Sequence, residues 1–410
     1  MNSSTDETAV ALGERAQGGR WLLFPGLLLF LVAPWICALL GLPEVVGLEE
    51  KRRLAPPPSW TSAEGWSAWP RQAEAWLNDH YPQRARMIRW HGLIRQRGLG
   101  APTANVIIGR DDWLFFAGDR TAEDLLGQDR LSPAQLDQWM VALESREARL
   151  RAAGIAYLLV IAPNKSSIYP EQLPSALWLA RRSGKLDQLL DTIRARGRVE
   201  VLDLRPALLE AKRVELVYWR HDSHWNARGL QTANEAVIKQ LTKLGFSMGG
   251  EDAPHWQKVV GNAERPQDCI EMLGLKGVWP GEAAPEVVMT FPADLKRVDT
   301  PLLAQSPWKE QPAWQRIVAT ERESGKGRVV MYCDSFFRAG GIPLSALADL
   351  PLSLYFRRHV SLWGASAEAD LEAVMALERP DVVIEEFVER RLAQPPPAPV
   401  SAVSKASARE

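Results

Sequence analysis

The sequence predicts an α/β protein in which a parallel β-sheet is flanked by helices and preceded by one N-terminal transmembrane helix. The first observation is that short apolar, β-branched runs alternate with segments of helical spacing across residues 76–392. The second is the uncharged run Trp21–Pro43, which is long enough to span a hydrocarbon core of roughly 30 Å. A chain of 410 residues, 46% of them hydrophobic, can bury the core that this architecture needs.

The uncharged run is expected to remain as a signal anchor. A cleaved signal peptide has a shorter apolar region and a small-x-small cleavage site, which the following "LPEVVGLEE" lacks. Trp35 and Ile36 are the wrong residues for a lipobox before Cys37. Basic residues flank both sides, and large domains are translocated largely regardless of such charges. We therefore expect residues 1–20 to form a cytoplasmic tail, with the large C-terminal part outside the cytoplasm.

Residues 44–75 are expected to form a linker, because "APPPSW" is stiff and extended. The next stretch, residues 73–98, has the pattern of a helix broken near Pro82. In residues 105–116, "NVIIGRDDWLFF" predicts a hairpin that turns at Arg110–Asp112.

Helices and strands then alternate. Ser132 as N-cap, Pro133 at the first position and Gly154 after the last turn predict a helix. Further helices are expected in "KLDQLLDTIRARG", "LQTANEAVIKQLTKLG" and "DLEAVMALE", and strands in "IAYLLVIAP", "VEVLDL", "GRVVMYCDSF" and "DVVIEE". Residues 205–330 are less regular, with "AAPEVVMTF" expected as an inserted strand, and residues 393–410 are expected to be a disordered Pro/Ala-rich tail.

Composition limits the partners only in part. A net charge of −1 gives no reason to expect a nucleic-acid partner. The 17 tryptophans fit either packing or stacking on sugar rings. Cys269 and Cys333 either pair in an oxidising compartment or remain separate buried thiols.

In open α/β sheets, functional sites form just beyond the carboxyl ends of the strands. Three candidate stretches are expected to lie there: "APNKS", "HDSHW" and "CDSFF". A serine at a strand end, Ser335, presents its hydroxyl at the sheet edge, and the following backbone N–H groups are expected to be free to hold an oxyanion. A serine nucleophile needs a base and an orienting carboxylate. Asp222 and His224 are two residues apart, so in an extended loop they point the same way and can supply that pair.

Two alternatives use the same histidine stretch. In the first, His224 has only a structural or capping role. His221, Asp222 and His224 are also plausible metal ligands, but the other histidines follow no ligand spacing, so neither a metal nor a cofactor is predicted.

Six motifs, in order, carry a resemblance to a known family: "WLNDHYPQRARMI", "VIIGRDDWLFF", "APNKSSIYPEQLP", "HDSHWNARG", "YCDSFF" and "RPDVVIEEFVERRL". Over about residues 70–392 the chain resembles the alginate O-acetyltransferase AlgX/AlgJ family. The resemblance implies an SGNH-hydrolase-like acetyltransferase domain at residues 76–392, with Ser335 as nucleophile, His224 as base and Asp222 as its orienter. The Asp–His pair precedes the serine, as in that family. Cys333 replaces a glycine of SGNH esterases, and "QDCIEML" departs from the family's pattern.

Weaker candidates for substrate binding lie elsewhere. Asn164 and Lys165 would hold a substrate carboxylate or hydroxyl, or form a structural turn. Tyr355, Arg357 and Arg358 in "YFRRH" would clamp an anionic sugar, or form a solvated basic edge. "FVERRL" is expected to be a helix face.

The resemblance implies a function. The chain is expected to move acetyl groups onto an exported, alginate-like polysaccharide through an acetyl-enzyme, from the periplasmic face of the inner membrane. Its implied partners are the polysaccharide acceptor, a membrane-bound acyltransferase that passes acetyl across the membrane, and other export-complex proteins. A polysaccharide acetyl esterase and a non-catalytic scaffold of an export complex are the alternatives.

Overall fold

The computed structural model describes residues 25, 28–29, 31–41, 54–59, 65–84, 86–88, 105–247, 256–259, 267–275, 279, 286–289, 293–304, 317–338, 351–363 and 371–397. The chain divides into two compact units. One consists of Met1–Ala101 with Leu273–Val278, and the other of Pro102–Met272 with Trp279–Glu410.

The first unit contains helix α1 (Trp69–His80), which begins before the predicted linker boundary at residue 75. Its end at His80 agrees with the predicted break, since the residue preceding Pro82 disfavours helical backbone. Among the described residues no helix is both long and apolar enough to cross a bilayer. The predicted anchor Trp21–Pro43 lies partly outside the described residues; within it, residues 31–39 are helical.

The strands that the structure describes all belong to the second unit. They are β1 (Val106–Ile108), β2 (Leu114–Phe116), β3 (Ala156–Ala162), β4 (Val201–Asp203), β5 (Trp256–Val259), β6 (Glu286–Met289), β7 (Leu295–Val298), β8 (Val318–Arg322), β9 (Arg328–Cys333), β10 (Arg358–Trp363) and β11 (Val382–Val388).

The helices of the second unit are α2 (Thr121–Leu125), α3 (Pro133–Ala152), α4 (Lys165–Ile168), α5 (Ser175–Ala180), α6 (Lys185–Arg196), α7 (Arg205–Ala211), α8 (Ala227–Lys243), α9 (Asp268–Met272), α10 (Ser335–Arg338) and α11 (Leu371–Glu378). Short 3₁₀ turns are Pro170–Gln172, Pro301–Ala304, Pro351–Leu354 and Glu389–Ala393, and in the first unit Gly65–Ala68.

Several predicted elements are confirmed. β1 and β2 pair as an antiparallel hairpin. Ser132 caps α3 by accepting a hydrogen bond from the backbone of Gln135, and Pro133 is the first helical residue. The inserted strand is β6, which pairs antiparallel with β5. Of the predicted tail, residues 398–410 lie outside the described residues.

The main sheet has seven strands in the order β4-β3-β11-β9-β10-β8-β7. The first five run parallel, but β8 is antiparallel to β10 and β7 is antiparallel to β8. The prediction of a wholly parallel sheet was therefore wrong at this edge. β10 lies between β8 and β9 in the sheet, and only residues 323–327 connect these two strands. Parallel strands need a crossover of about a dozen residues or more, so the chain reverses in this short connection, and β8 runs opposite to both β9 and β10.

The sheet is buried on both faces. Along β3, Leu158 and Val160 belong to one apolar cluster, while Leu159 and Ile161 belong to the other. This alternation follows from the two-residue period of a strand. Helices α7 and α8 contribute to the first cluster, and α3 and α6 contribute to the second, so helices cover both faces as predicted.

The described cysteines do not pair. Cys37, Cys269 and Cys333 form no disulfide with one another, and the last two are buried. Cys333 Sγ lies 3.2 Å from the hydroxyl of Ser361 on the neighbouring strand. Of the two alternatives left by the sequence, the structure therefore has separate thiols.

Candidate active site

Ser335, His224 and Asp222 form a continuous hydrogen-bonded row at the carboxyl edge of the sheet. Ser335 Oγ lies 2.7 Å from Nε2 of His224, and Nδ1 of His224 lies 2.7 Å from Oδ1 of Asp222. With the proton of the neutral imidazole on Nδ1, that nitrogen donates to the carboxylate and Nε2 accepts from the serine hydroxyl. This is the spatial order of nucleophile, base and orienting carboxylate that serine catalysis requires.

The loop that carries the histidine is held by Lys165, the first residue of α4 just beyond β3. The Lys165 ammonium donates to the backbone carbonyls of Trp219, Arg220 and Asp222 at 3.0, 2.9 and 2.7 Å. An ammonium has three N–H groups, so these contacts occupy all of them. The residue is buried, and its charge also faces the ring of Phe115 at 5.1 Å. Its position therefore corrects the expectation that Lys165 binds substrate.

The residues after His224 turn the loop into helix α8. Asn226 caps that helix by accepting a hydrogen bond from Gly229 N at 3.0 Å, which satisfies one of the free donors of the first turn. A Cβ on Gly229 would lie 2.2 Å from the carbonyl oxygen of Val217, so only glycine fits this close backbone approach. The Trp225 indole donates to the carbonyl of Phe336 at 2.6 Å and so ties the loop to the nucleophile's helix.

The nucleophile's turn is held by Asp334. One carboxylate oxygen accepts from Phe336 N and the other from Val388 N, both at 2.8 Å, and Asp334 N donates to Glu386 at 3.0 Å. Because Phe336 N is engaged in this way, it is not free for an oxyanion. The expectation that the N–H groups after the turn are free is thus wrong for this amide.

Charge around the imidazole favours its protonated form. Burial raises the pKa of Asp222, but the His224 charge and hydrogen bonds outweigh it and lower that pKa to about 2. Burial likewise lowers the pKa of His224, but the charge and hydrogen bond of Asp222, then the charge of Asp268, raise it above its usual value, against a smaller opposite effect of Arg390. The site therefore stabilises the imidazolium that forms when Ser335 gives up its proton.

A second carboxylate, that of Asp268 at the start of α9, lies beside the same loop. Asp268 Oδ1 accepts from Ser223 N at 2.6 Å, its Oδ2 accepts from the Ser223 hydroxyl, and its backbone N donates to Asp222 Oδ2 at 2.8 Å. Asp268 Oδ2 also lies 3.5 Å from His224 Nδ1. A single aspartate at a helix start resembles an ordinary cap, which explains why the sequence did not single it out.

The residues that could bind a metal in the structure differ from those that the sequence suggested. His221 Nε2 accepts from the Trp279 indole at 3.2 Å, and His221 does not join His224 in a ligand set among the described residues. Asp222, His224 and Asp268 do place one ligand atom each within 4.8 Å of one another. Both nitrogens of His224 are engaged, however, by Asp222 and by Ser335, so the hydrogen-bonded row accounts for the same atoms.

Asn164 lies at the carboxyl edge but is engaged by protein groups. Its backbone N donates to Glu389 at 2.8 Å, and its side-chain oxygen accepts from Arg390 at 3.4 Å. The guanidinium of Arg390 also lies 5.2 Å from the centroid of the Phe336 ring. The segment "FVERRL" was expected to be a helix face, but it forms the end of β11 and a 3₁₀ turn. Through Arg390 it places a cation beside the nucleophile's helix.

The predicted anionic-sugar clamp lies at the other edge of the sheet. Arg358 is opposite Arg328, at the start of β9, whereas Ser335 follows the end of that strand. Five strand steps of about 3.3 Å separate the edges by roughly 16 Å. Arg358 is buried and paired with Glu378 at 2.6 Å, so it is not free to bind a sugar. The clamp hypothesis is therefore corrected for Arg358. Tyr355 and Arg357 precede it at the same edge, far from Ser335, and their part in substrate binding stays a prediction.

Together the sheet order and the hydrogen-bonded contacts from Ser335 through His224 to Asp222 define a class of protein: an SGNH hydrolase-like α/β domain with a Ser–His–Asp arrangement. Residues 106–306 match a family model described as the SGNH hydrolase-like domain of the acetyltransferase AlgX. That range includes Asp222, His224 and Asp268 and ends before Ser335. This match and the AlgJ relatives described next support the resemblance of this chain to the AlgX/AlgJ family.

Named relatives agree with this family. The probable alginate O-acetylase AlgJ of Pseudomonas aeruginosa is 29% identical over 136 residues, which is 33% of this chain and 33% of that protein. Its Pseudomonas putida counterpart is 26% identical over 151 residues, 36% of this chain and 37% of that protein. The matched part thus spans about a third of each relative. A solved O-acetyltransferase domain of Pseudomonas putida AlgJ aligns with a TM-score of 0.44 and 20% identity, covering 71% of this chain and 93% of that chain.

Proposed function

We propose that this protein is an O-acetyltransferase that passes acetyl groups to hydroxyls of an exported, alginate-like polysaccharide through an acetyl-Ser335 intermediate. The observation that carries the proposal is the row of two 2.7 Å contacts from Ser335 through His224 to Asp222. The match of residues 106–306 to a family model named for an acetyltransferase supports it.

In the first half-reaction, Ser335 Oγ attacks the carbonyl carbon of the donor's acetyl ester. Its proton moves to Nε2 of His224 as the new C–O bond forms. Asp222 keeps the imidazole oriented and stabilises its positive charge. When the C–O bond to the leaving group breaks, the proton passes from Nε2 to that oxygen, and the acetyl group remains on Ser335.

In the second half-reaction, a sugar hydroxyl takes the place of the leaving group. His224 accepts the hydroxyl proton while the sugar oxygen attacks the acetyl carbonyl, and the proton then returns to Ser335 Oγ as the acetyl–serine bond breaks. Water in the same position would give acetate, which is the esterase alternative. The two outcomes differ only in which nucleophile reaches the acetyl-enzyme.

The proposal extends to place and partners. A polytopic membrane acyltransferase would supply acetyl groups, because acetyl-CoA is cytoplasmic and the acceptor is an exported polymer. We place the chain in the inner membrane, held by one pass through Trp21–Pro43, with the catalytic domain in the periplasm among other export-complex proteins. The length and lack of charge of that run support this topology.

The test is to trap the intermediate and follow the acetyl group. The purified full chain is pulsed with a small acetyl ester and digested with trypsin, and the peptide from Val329 to Arg338 is examined by mass spectrometry. We expect one acetyl group on Ser335. Acceptor oligosaccharides of different charge are then added, and acetylated sugar is measured against free acetate.

The controls separate the alternatives. Ser335→Ala is expected to fold normally, leave the peptide unmodified and lose about a thousandfold or more of the transfer rate. The double variant Ser335→Ala/His224→Ala should be hardly worse than Ser335→Ala, because the row acts as a unit. Free acetate alone would indicate an esterase, and an unmodified Ser335 alongside full transfer would contradict the mechanism. Polymer acetylation in cells that survives Ser335→Ala would indicate a scaffold.

A further inference from the structure

We propose that Asp268 is a positioning residue for the acetyl-transfer site: it holds the histidine loop in place and sets a second negative charge beside His224. The inference rests on the proposed function only for its activity readout. The geometry that supports it involves the loop residues Asp222, Ser223 and His224 together with Asp268, the first residue of helix α9.

The first part of the argument is the attachment of the loop. The carboxylate of Asp268 accepts two hydrogen bonds from Ser223, one from its backbone N at 2.6 Å and one from its hydroxyl. Ser223 stands between Asp222 and His224, so fixing it limits the rotation of the whole segment. Hydrogen bonds to an ionised acceptor are stronger than neutral ones, which makes this attachment stiff.

The second part is the orientation of Asp222. The backbone N of Asp268 donates to Asp222 Oδ2 at 2.8 Å, and the other oxygen, Oδ1, faces the imidazole. The two oxygens of the orienting carboxylate thus have separate partners. By engaging Oδ2, Asp268 leaves Oδ1 of Asp222 to accept from His224. That hydrogen bond keeps the proton of the imidazole on Nδ1, so Nε2 is available to Ser335.

The third part is charge. Three charged side chains act on His224 from different elements: Asp222 in its own loop, Asp268 from α9 and Arg390 beyond β11. The hydroxyl of Ser335, from α10, is its uncharged partner. Asp222 is the closest, while Asp268 Oδ2 lies at 3.5 Å and adds a second negative charge. Two carboxylates beside one imidazole stabilise the imidazolium formed during the attack more than one does.

The test replaces Asp268 by asparagine, which keeps the shape and removes the charge. We expect the rate of acetyl transfer at its plateau to fall about ten- to hundredfold, since an interaction with a charged group is lost in the transition state. The acid limb of the pH–rate profile should move to lower pH, because removing a negative charge lowers the pKa of the base. Asp191→Asn, on the exposed surface of α6, makes the same charge change and should alter neither.

Loop attachment is tested separately by Ser223→Ala. This variant keeps both carboxylates and removes one hydrogen bond to Asp268. We expect it to lower the turnover rate while leaving the acid limb close to that of the wild type. If Asp268→Asn and Ser223→Ala both lower turnover but neither moves the acid limb, the charge part of the proposal is wrong.

A readout that needs no activity keeps the inference independent of the proposed function. Histidine-labelled protein carrying Ser335→Ala is titrated by NMR, and His224→Gln identifies the resonance among the 6 histidines. Adding Asp268→Asn should lower the titration midpoint of His224. An unchanged midpoint would overturn the inference. A midpoint lowered by Asp268→Asn, together with a wild-type chain that forms no acetyl-enzyme, would overturn only the proposed function.

Discussion

His221 and His224 stand three positions apart in one loop, yet the structure gives them different neighbours. His224 contacts the nucleophile and a buried carboxylate, while His221 packs edge-on against Trp279 and accepts its indole N–H. Burial, and then the charge of Lys165, lower the pKa of His221, so it stays neutral where a base with a raised pKa begins to protonate. At the residue scale, spacing alone therefore does not decide which histidine reacts.

A variant pair tests this division. We expect His221→Ala to keep transfer within a few-fold of the wild type, while His224→Ala loses about a thousandfold or more, because only the second removes the base. Transfer should also survive EDTA. Loss of activity with EDTA that zinc restores, together with an equally damaging His221→Ala, would favour the metal alternative.

At the scale of elements, the site depends on a lysine that the sequence suggested as a substrate ligand. Lys165 begins α4, just beyond β3, and donates hydrogen bonds to three carbonyls of the histidine loop. These bonds fix the loop relative to the end of β3. Buried carbonyls that lose a donor cost about 1–3 kcal/mol each, so the contact has consequences for folding as well as for catalysis.

Lys165→Met keeps the length of the side chain and removes its donors. We expect the protein to lose stability by about 1–3 kcal/mol or more, with a fall in the turnover rate, because the loop carbonyls lose their partner. Lys243→Met, at an exposed position on α8, is the matched control. A rise in KM alone, with unchanged thermal unfolding, would instead indicate direct substrate binding.

A second buried charge joins α3 to the sheet. Arg146 Nη1 lies 2.9 Å from Glu385 Oε1 on β11, and the Tyr157 hydroxyl on β3 donates to the same carboxylate at 2.6 Å. Burial, then the charge of Glu385, raise the pKa of Tyr157 well above its usual range, so the hydroxyl remains a donor. The arrangement ties a helix to two neighbouring strands of the sheet.

Arg146→Leu is expected to lower the free energy of unfolding by about 3–5 kcal/mol, since it leaves a buried carboxylate without its cation. Arg146→Leu/Glu385→Leu should recover much of that loss, because no buried charge is then left unpaired. Arg194→Leu removes an exposed pair on α6 and should cost less than about 1 kcal/mol. Denaturant unfolding of the three variants checks the order, and a small loss in Arg146→Leu would contradict it.

At the scale of the whole molecule, the proposed location of the chemistry depends on the uncharged segment near the N-terminus. An apolar run from Trp21 to Pro43 favours insertion in a bilayer, and in the proposed topology the long following domain is translocated. The acceptor polymer and the catalytic row would then meet in the periplasm.

A fusion experiment checks this topology. Alkaline phosphatase joined after Glu410 should be active, and the protein should stay with membranes after salt and carbonate washing, because an apolar span is held by burial rather than by charge. A full-length product in the soluble periplasmic fraction, cut near residue 43, would mean that the segment is a cleaved signal peptide.

Much of the fold followed from local patterns. Alternating apolar runs, the Ser132 cap and the hairpin predicted β3, α3 and the β1–β2 pair, since these signals act within a few residues. The antiparallel edge formed by β7 and β8 did not follow from them. Strand direction depends on how the chain crosses the sheet, and the short connection before β9 decides it.

The sequence by itself determined the residue types of the proposed triad, the strand end that precedes Ser335 and the loop that carries Asp222 and His224, because a serine after a buried strand and an Asp-x-His loop are local patterns. Only the tertiary structure brought Ser335 and His224 together across 111 positions of the chain. It also placed Asp268 beside the histidine loop, and it showed that Lys165, which the sequence suggested as a substrate ligand, is bonded to carbonyls of that loop. The physical reason is that local patterns determine strands, helices and caps, whereas contacts between distant residues depend on packing in the folded core.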